Sequence, residues 1–213
     1  MKRLIIILMI IPFTTIIPQK IGKLADEKPS IEFPDNSWGM DIMFSEGGFG
    51  LGTFFRKALS DEITAFADFS FSESKDDKEV EYVDIFGRII TPGKLNRVFM
   101  LPLNAGIQYR LFSSVLTDNL RPYLNFGIGP TLVVTTPYER EFFNAFGKAR
   151  AHYALGGYAG FGANFGISTT NLVGVNIRYY YTHLFGDGVE NLRNRFRKDI
   201  GGFYLTINVG IMY

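Results

Sequence analysis

The sequence predicts an all-β protein: a closed antiparallel up-and-down transmembrane β-barrel of about eight strands, preceded by an N-terminal signal peptide. Three observations lead to this prediction. Strand-length runs alternate between apolar residues and polar residues or glycine, long and short connections alternate along the chain, and the last dozen residues form one long alternating run. Because successive side chains of a strand point to opposite faces, each run has one apolar face and one polar face.

Composition is compatible with one domain and excludes several classes of function. The chain has 213 residues, a formal net charge of +1 and 46% hydrophobic residues. A helical membrane protein of this size would be more apolar, since each crossing takes about 20 apolar residues. The near-neutral charge gives no reason to expect a nucleic-acid partner. The sequence contains no cysteine, which excludes disulfides, thiolate metal sites and cysteine nucleophiles.

The N-terminus has the features of a secretory signal peptide. Two basic residues, Lys2 and Arg3, precede an apolar run from Leu4 to Ile17. That run suits the hydrophobic region of a signal peptide and is short for a transmembrane helix. We therefore predict a signal peptide over residues 1–19, with cleavage between Ile17 and Ala25, then a polar periplasmic leader over 20–37 and a barrel over 38–213.

Eight alternating runs follow the leader. They cover residues 38–45, 49–56, 63–72, 99–111, 123–134, 153–167, 173–181 and 202–213. The count of eight requires that residues 38–56 form two strands around a turn at Gly47 and Gly48, and the alternative is one strand. Glycine supplies the positive φ of tight hairpins. An even number of strands also places both termini on the same side of the membrane.

The connections predict which side faces out. Long segments at 73–96, 136–150 and 186–199 alternate with short ones at 113–119 and 168–171. Outer-membrane barrels have short periplasmic turns and longer outside loops, so the long segments are expected outside. Aromatic residues near strand ends are expected at the two membrane interfaces. They are Trp38, Tyr109, Tyr123, Tyr153, Tyr181 and Tyr213.

The leader Lys2–Ile17, the alternating runs, the unequal connections and the aromatic C-terminus together resemble small bacterial outer-membrane β-barrel proteins of the OmpA, OmpX and OmpW class. The resemblance implies an integral outer-membrane location and contact with outer-membrane lipids. It also implies recognition by the outer-membrane assembly machinery through one face of the last strand, formed by Phe203, Leu205, Ile207, Val209, Ile211 and Tyr213. It implies no particular activity, because the fold hosts many.

The alternation places several polar side chains in the barrel interior. The charged ones are Asp41, Asp68, Arg110 and Arg178, and Asp68 and Arg178 are expected at similar depth. We predict that they form a salt-bridge and amide network with Asn104, Asn176, Tyr180 and Asn208 that fills a narrow lumen, because buried charges must be paired. The alternative is a gated polar pathway.

The predicted loops carry weaker signals. A basic cluster of Arg193, Arg195, Arg197 and Lys198 could contact lipopolysaccharide phosphates, or it could be an ordinary charged loop. Phe142, Phe143 and Phe146 have helical spacing, which suits a short helix at the barrel mouth or on the membrane surface. Packing of the three rings within a loop is an equal alternative. His152 and His183 have no serine nucleophile nearby in sequence, so we expect neither an enzyme nor a cofactor.

Three functions remain open from the sequence alone. The first is a non-enzymatic envelope or surface role for an integral outer-membrane protein. The second is a narrow, porin-like channel or conduit for small or apolar solutes. The third is a soluble lipid carrier of the lipocalin type, which requires the apolar face of the strands to point inward.

Overall fold

The computed structural model describes residues 33–87, 89–116, 120–166 and 169–213. The predicted signal peptide and most of the leader lie outside these residues. The elements in chain order are β1 (Asn36–Ser45), β2 (Gly48–Ala58), β3 (Ile63–Ser74), β4 (Tyr82–Val83), β5 (Ile89–Ile90), β6 (Asn96–Arg110), β7 (Leu120–Pro137), α1 (Phe142–Ala145), a 3₁₀ turn (Phe146–Lys148), β8 (Arg150–Gly166), β9 (Asn171–Leu184), β10 (Val189–Leu192), β11 (Arg195–Arg197) and β12 (Asp199–Met212).

Eight of the strands close into one antiparallel barrel in the order β1-β12-β9-β8-β7-β6-β3-β2. The predicted fold class is therefore confirmed. Closure joins the first strand to the last: the Asn36 amide donates to the Tyr213 carbonyl at 3.2 Å, and the Tyr213 amide donates back to the Asn36 carbonyl at 2.9 Å. Closure leaves no strand edge with free backbone groups, as a sheet in hydrocarbon requires.

Residues 38–56 form two strands, not one. β1 and β2 pair along their whole length, from Asn36 opposite Lys57 to Ser45 opposite Gly48. The turn between them is tight, and Gly48 has a φ of 124°, which glycine adopts without strain.

The two ends of the barrel differ. We call the end with the connections after β1, β3, β7 and β9 the loop end. The opposite end, with the start of β1, the end of β12 and the connections after β2, β6 and β8, is the terminal end. The three long connections, 75–95, 138–149 and 185–198, all lie at the loop end, within two residues of their predicted bounds. Two of them carry small hairpins of their own, β4–β5 and β10–β11.

The apolar face of each barrel strand points outward. In β12, Phe203, Leu205 and Val209 are exposed, while Thr206 and Asn208 are buried. This orientation is the opposite of the one that a lipocalin-type carrier requires. No helix within the described part of the chain is long and apolar enough to cross a membrane.

Five of the six aromatic residues expected at the interfaces are exposed on the outer wall: Trp38, Tyr109, Tyr153, Tyr181 and Tyr213. The expectation for Tyr123 is wrong, since its side chain is fully buried in the lumen. Tyr123 has the same parity as Asn125 and Gly127, and that parity decides its direction more strongly than its position near a strand end does.

Candidate functional site

The centre of the lumen is an ion cluster around Arg178. Arg178 lies on β9 with 2% of its side chain exposed, and its Nη2 lies 3.0 Å from Asp41 Oδ2 on β1. Its Nη1 lies 3.9 Å from Asp68 Oδ2 on β3. Tyr158 donates a 2.5 Å hydrogen bond to the same Asp68 oxygen, and Tyr180 lies 3.4 Å from Arg178 Nη1. One guanidinium therefore joins strands that are distant in sequence.

Amide side chains complete the coordination of both carboxylates. Asn208 donates to Asp41 Oδ1, and Asn104 donates to Asp68 Oδ1 at 3.0 Å. Asn176 in turn donates to Asn208 Oδ1 at 2.8 Å. These hydrogen bonds offset the cost of burying two carboxylates, which is high for any charge that is not paired and hydrogen-bonded. The structure thus brings together seven of the eight residues singled out for the lumen.

Arg110 is the eighth residue, and it does not join this cluster. It is the last residue of β6, and its Nη2 donates to the Leu116 carbonyl at the terminal end, at 2.8 Å. Its parity is inward as expected, but a position at the end of a strand places it too far along the barrel axis to reach Arg178's partners.

Aromatic rings fill the space beside the ion cluster. Tyr158 and Tyr180 have ring centroids 4.7 Å apart, and Tyr180 and Tyr204 have centroids 5.0 Å apart. The Arg178 guanidinium carbon lies 4.9 Å from the Tyr158 ring centroid. Tyr158 is not among the residues predicted for the lumen network. Its inward parity, opposite glycines with no side chain to fill the space, was the available signal.

An apolar layer closes the lumen on the loop-end side of the ion cluster. It consists of inward side chains from five barrel strands together with Val189 of β10, which the connection 185–198 inserts into the mouth. The members are Val98, Met100, Val133, Ala154, Leu184, Val189 and Ile200. Polar residues are expected inside a membrane barrel, so an apolar cluster at this level narrows the water-accessible part of the lumen.

Ion pairs between two long connections lie above the apolar layer, and we call this group the lid: Asp76, Glu79, Lys94, Asn191, Arg195 and Arg197. Lys94 Nζ lies 2.7 Å from Glu79 Oε2, and both side chains are almost fully buried. Asn191 donates to the other Glu79 oxygen. Backbone hydrogen bonds also join the two connections, from Leu95 N to the Asn191 carbonyl at 2.8 Å.

The basic cluster of the last connection is divided by the fold. Arg195 Nε and Arg197 Nε lie 3.1 Å and 3.5 Å from Asp76 Oδ2, so these two belong to the lid. Arg193 and Lys198 are exposed. Of the four residues of the cluster, these two can therefore contact an anionic group without breaking lid contacts.

The β4–β5 hairpin is attached to the lid by an exposed ion pair. Lys75 Nζ lies 2.7 Å from Glu81 Oε1. The hydrogen bond with Lys75 lowers the pKa of Glu81, and the same bond raises the pKa of Lys75. Apolar side chains at the hairpin tip face solvent, and Ile85 is 94% exposed.

The helix α1 lies against the outer wall, not over the mouth. Phe99 has outward parity on β6, yet only 2% of it is exposed. Phe142 and Phe146 cover it, with ring centroids 6.1 Å and 5.7 Å away, and Phe71 stacks on it at 5.3 Å. Of the two placements that the helical spacing allowed, the structure has the one on the membrane side of the wall.

The two histidines do not meet. His183 Nδ1 lies 2.7 Å from Asp199 Oδ1 on the outer wall, and the Tyr181 hydroxyl donates to the same oxygen at 2.7 Å. His152 is half-buried beside Thr135. It lies on the inward face of β8, whereas His183 lies on the outward face of β9. The neighbour of His183 is thus Asp199, its cross-strand partner, and not the nearby Asp187. Among the described residues no group of three or more metal-ligating side chains occurs.

Comparisons with known proteins find similarity of fold alone. No family model matches the sequence, and no characterised protein matches it. Among solved structures, the chain is similar to the N-terminal β-barrel domain of Pseudomonas aeruginosa OprF (12% identity, TM-score 0.46, covering 84% of this chain and 98% of that one). It is also similar to Neisserial surface protein A (11%, 0.49, 84% and 94%) and to the outer membrane protein OprG from Pseudomonas aeruginosa (14%, 0.40, 84% and 95%).

By architecture, the chain is a closed antiparallel barrel of eight strands, as the sequence predicts. Along the barrel axis, the ion cluster, the apolar layer and the lid follow one another toward the loop end.

Proposed function

We propose that this chain is an integral bacterial outer-membrane protein with a non-enzymatic envelope or surface role, closed to solutes and acting through its loop end. The observation that carries the proposal is the sealed outer half of the lumen. Arg178, paired with both Asp41 and Asp68, fills the centre, and the apolar layer with Val189 closes the mouth. A lumen that is filled in this way leaves the loop end to act through its outer surface.

Outer-membrane lipids are the expected partners of the wall. The outward side chains are apolar along the strands, with aromatic residues at both ends of the barrel, the arrangement that lipid-facing barrels use. The packed rings of Phe99, Phe142 and Phe146 thicken this wall at the loop end. Recognition by the assembly machinery through the outward face of β12 stays part of the proposal.

Of the four basic residues predicted to contact lipopolysaccharide, we propose that the exposed pair Arg193 and Lys198 makes the contact. Charged side chains at a membrane surface contribute about 1 kcal/mol each to binding anionic lipid. Replacing both with glutamine should therefore weaken binding of the folded protein to purified lipopolysaccharide by about tenfold or more. A matched change at the terminal end, Lys57→Gln, should leave that binding unchanged. If the native chain, the double variant and Lys57→Gln bound lipopolysaccharide equally, the proposed contact would be wrong.

Conductance in planar bilayers tests the closed state. The proposal expects no discrete, reproducible current from the purified protein, since no water path runs through the apolar layer. A stable single-channel current from the native chain would favour the conduit instead.

Labelling on intact cells tests the orientation. The chain has no cysteine, so single cysteines report without background. Ile85→Cys, in the β4–β5 hairpin, should react with a membrane-impermeant maleimide added to cells. Asp61→Cys, in the connection after β2, should react only after the outer membrane is opened. The reverse result would contradict a loop end that faces outward.

A further inference from the structure

A cavity lies at the terminal end of the lumen, on the side of the ion cluster away from the apolar layer. Its volume is about 1000 Å³, and Phe33, Ser37, Thr64 and Gln108 are among its lining residues. Arg56 of β2, Arg110 of β6 and Arg121 of β7 all line it as well. Neither the ion cluster around Arg178 nor the proposed surface role makes use of this cavity.

The three arginines have only neutral acceptors. Within residues 33–87, 89–116, 120–166 and 169–213, none of their guanidinium groups forms a salt bridge. Arg56 Nη1 donates to an amide oxygen of Asn164 at 3.3 Å, and Arg110 Nη2 donates to the Leu116 carbonyl. Arg121 Nη2 lies 3.5 Å from a thioether sulfur of Met212. The Nε atoms of Arg110 and Arg121 are buried without an acceptor.

The acidic residues of this region do not supply the missing charge. Asp35, Asp61 and Glu62 line the mouth of the cavity and are exposed to water. The Glu62 carboxylate accepts hydrogen bonds from the Tyr109 hydroxyl at 3.3 Å and the Ser113 hydroxyl at 3.1 Å. These carboxylates form a rim, while Arg56, only 4% exposed, lies deeper.

Aromatic rings hold two of the three guanidinium groups in position. The Arg121 guanidinium carbon lies 3.8 Å from the Phe33 ring centroid, and that of Arg56 lies 4.1 Å from the Phe54 ring centroid. Stacking of this kind orients the planar fork of N–H donors before a ligand arrives. Each guanidinium carries five donors, and in each of the three a single Nη atom has an acceptor among the described residues.

We propose that this cavity binds a small oxyanion, a phosphate or carboxylate group, as the shared counterion of Arg56, Arg110 and Arg121. Three like charges gathered in one cavity without a carboxylate partner are unfavourable, and the guanidinium fork matches the geometry of these anions in a bidentate manner. The oxyanion comes either from a free solute of the compartment at the terminal end or from a lipid headgroup of that leaflet. This site is independent of the proposed surface role.

Nuclear magnetic resonance of the arginine Nε–H groups tests the site directly. In dodecyl maltoside micelles, titration with inorganic phosphate at low salt should give saturable shifts of a subset of these signals. The headgroup source is tested in nanodiscs without added phosphate, by comparing phosphatidylglycerol with phosphatidylcholine. Shifts in the first experiment identify a free anion, and shifts in phosphatidylglycerol discs alone identify a headgroup. Absence of shifts in both would overturn the proposal.

Variants assign the site. Arg110→Gln combined with Arg121→Gln should weaken phosphate binding by about tenfold or more, since both substitutions remove charge-assisted hydrogen bonds to the anion. The control Arg140→Gln removes an exposed arginine in the connection 138–149 at the loop end and should bind phosphate as the native chain does. A heat-modifiability gel verifies that each variant is folded, and Arg121→Gln alone serves if the double variant is not. Undiminished binding by the folded variant would place the anion elsewhere and contradict the proposal.

Discussion

The two halves of the lumen compensate their charges in different ways. In the half toward the loop end, every lid cation that is buried has a carboxylate partner, such as Lys94 with Glu79 at 2.7 Å, and apolar side chains exclude water beneath it. In the half toward the terminal end, Arg56, Arg110 and Arg121 surround an open cavity with neutral acceptors only. The ion cluster at Arg178 separates the two. The half toward the loop end is therefore packed and charge-paired, whereas the half toward the terminal end is open to small solutes.

The largest effect is expected where the two halves meet. Arg178→Ala removes the only basic group within 4.0 Å of Asp41 and Asp68 among the described residues and leaves both carboxylates buried. Breaking such a buried pair costs about 3–5 kcal/mol. We expect a strong loss of the folded form in thermal unfolding in detergent, followed on a heat-modifiability gel.

The exposed Arg193→Ala is the control for that experiment and should unfold at the native temperature. If Arg178→Ala and Arg193→Ala unfold at the same temperature as the native chain, the ion cluster does not hold the barrel together.

A smaller effect is expected in the sealed half. Lys94→Met removes the cation that pairs with Glu79, whose side chain is 1% exposed. Hydrogen bonds to charged groups contribute about 1.5–3 kcal/mol, and Glu79 keeps its bond from Asn191. The loss should be local: faster amide hydrogen exchange in the connections 75–95 and 185–198, with barrel strands protected as before. Uniform loss of protection in all strands would mean that the lid is not a separate unit.

In the half toward the terminal end, removing an arginine should not lower the thermal stability. Arg121→Gln removes one of three like charges that have no carboxylate partner, so in buffer without oxyanions we expect no loss of thermal stability. With phosphate present, the native chain should gain stability and the variant should gain less, because a ligand that binds only the folded state stabilises it. A destabilisation comparable to that of Arg178→Ala would show that Arg121 has a structural partner and would remove the contrast between the halves.

The smallest effect is expected at the exposed ion pair of the β4–β5 hairpin. The pKa of Glu81 is lowered from its usual value of 4.5 by the hydrogen bond with Lys75. Its contribution is therefore present above the unfolded pKa and is lost as pH falls through the lower folded value. Glu81→Gln should slightly speed hydrogen exchange in the hairpin at neutral pH, and the difference should vanish in high salt. A difference that persists in high salt would point to a contact other than the ion pair.

Strand parity predicted most of the barrel interior. The alternation of β1, β3 and β9 places Asp41, Asp68 and Arg178 inside, and their pairing follows from the requirement that buried charges meet a partner. The same rule applied to β2 would have found Arg56, two residues beyond the inward Phe54. Arg56 was not among the residues predicted for the lumen.

The lid lay beyond what the sequence could predict. The alternation of side chains predicts their direction only within paired strands. Asn191 and Glu79 are 112 residues apart, and they lie in connections whose sequences show no such alternation. The division of the basic cluster has the same origin, because Arg195 and Arg197 turn to Asp76 only when two connections fold together. The open cavity depends likewise on where strands end, which sequence patterns locate least well.

Cysteine accessibility on the two sides of Arg178 tests the difference between the halves most directly. Thr64 lines the open cavity, and Thr182 is fully buried on the loop-end side. In the folded protein, Thr64→Cys should react quickly with a small water-soluble maleimide, while Thr182→Cys should react only after boiling in detergent. Equal rates for the two folded variants would contradict a lumen that is open at the terminal end and sealed toward the loop end.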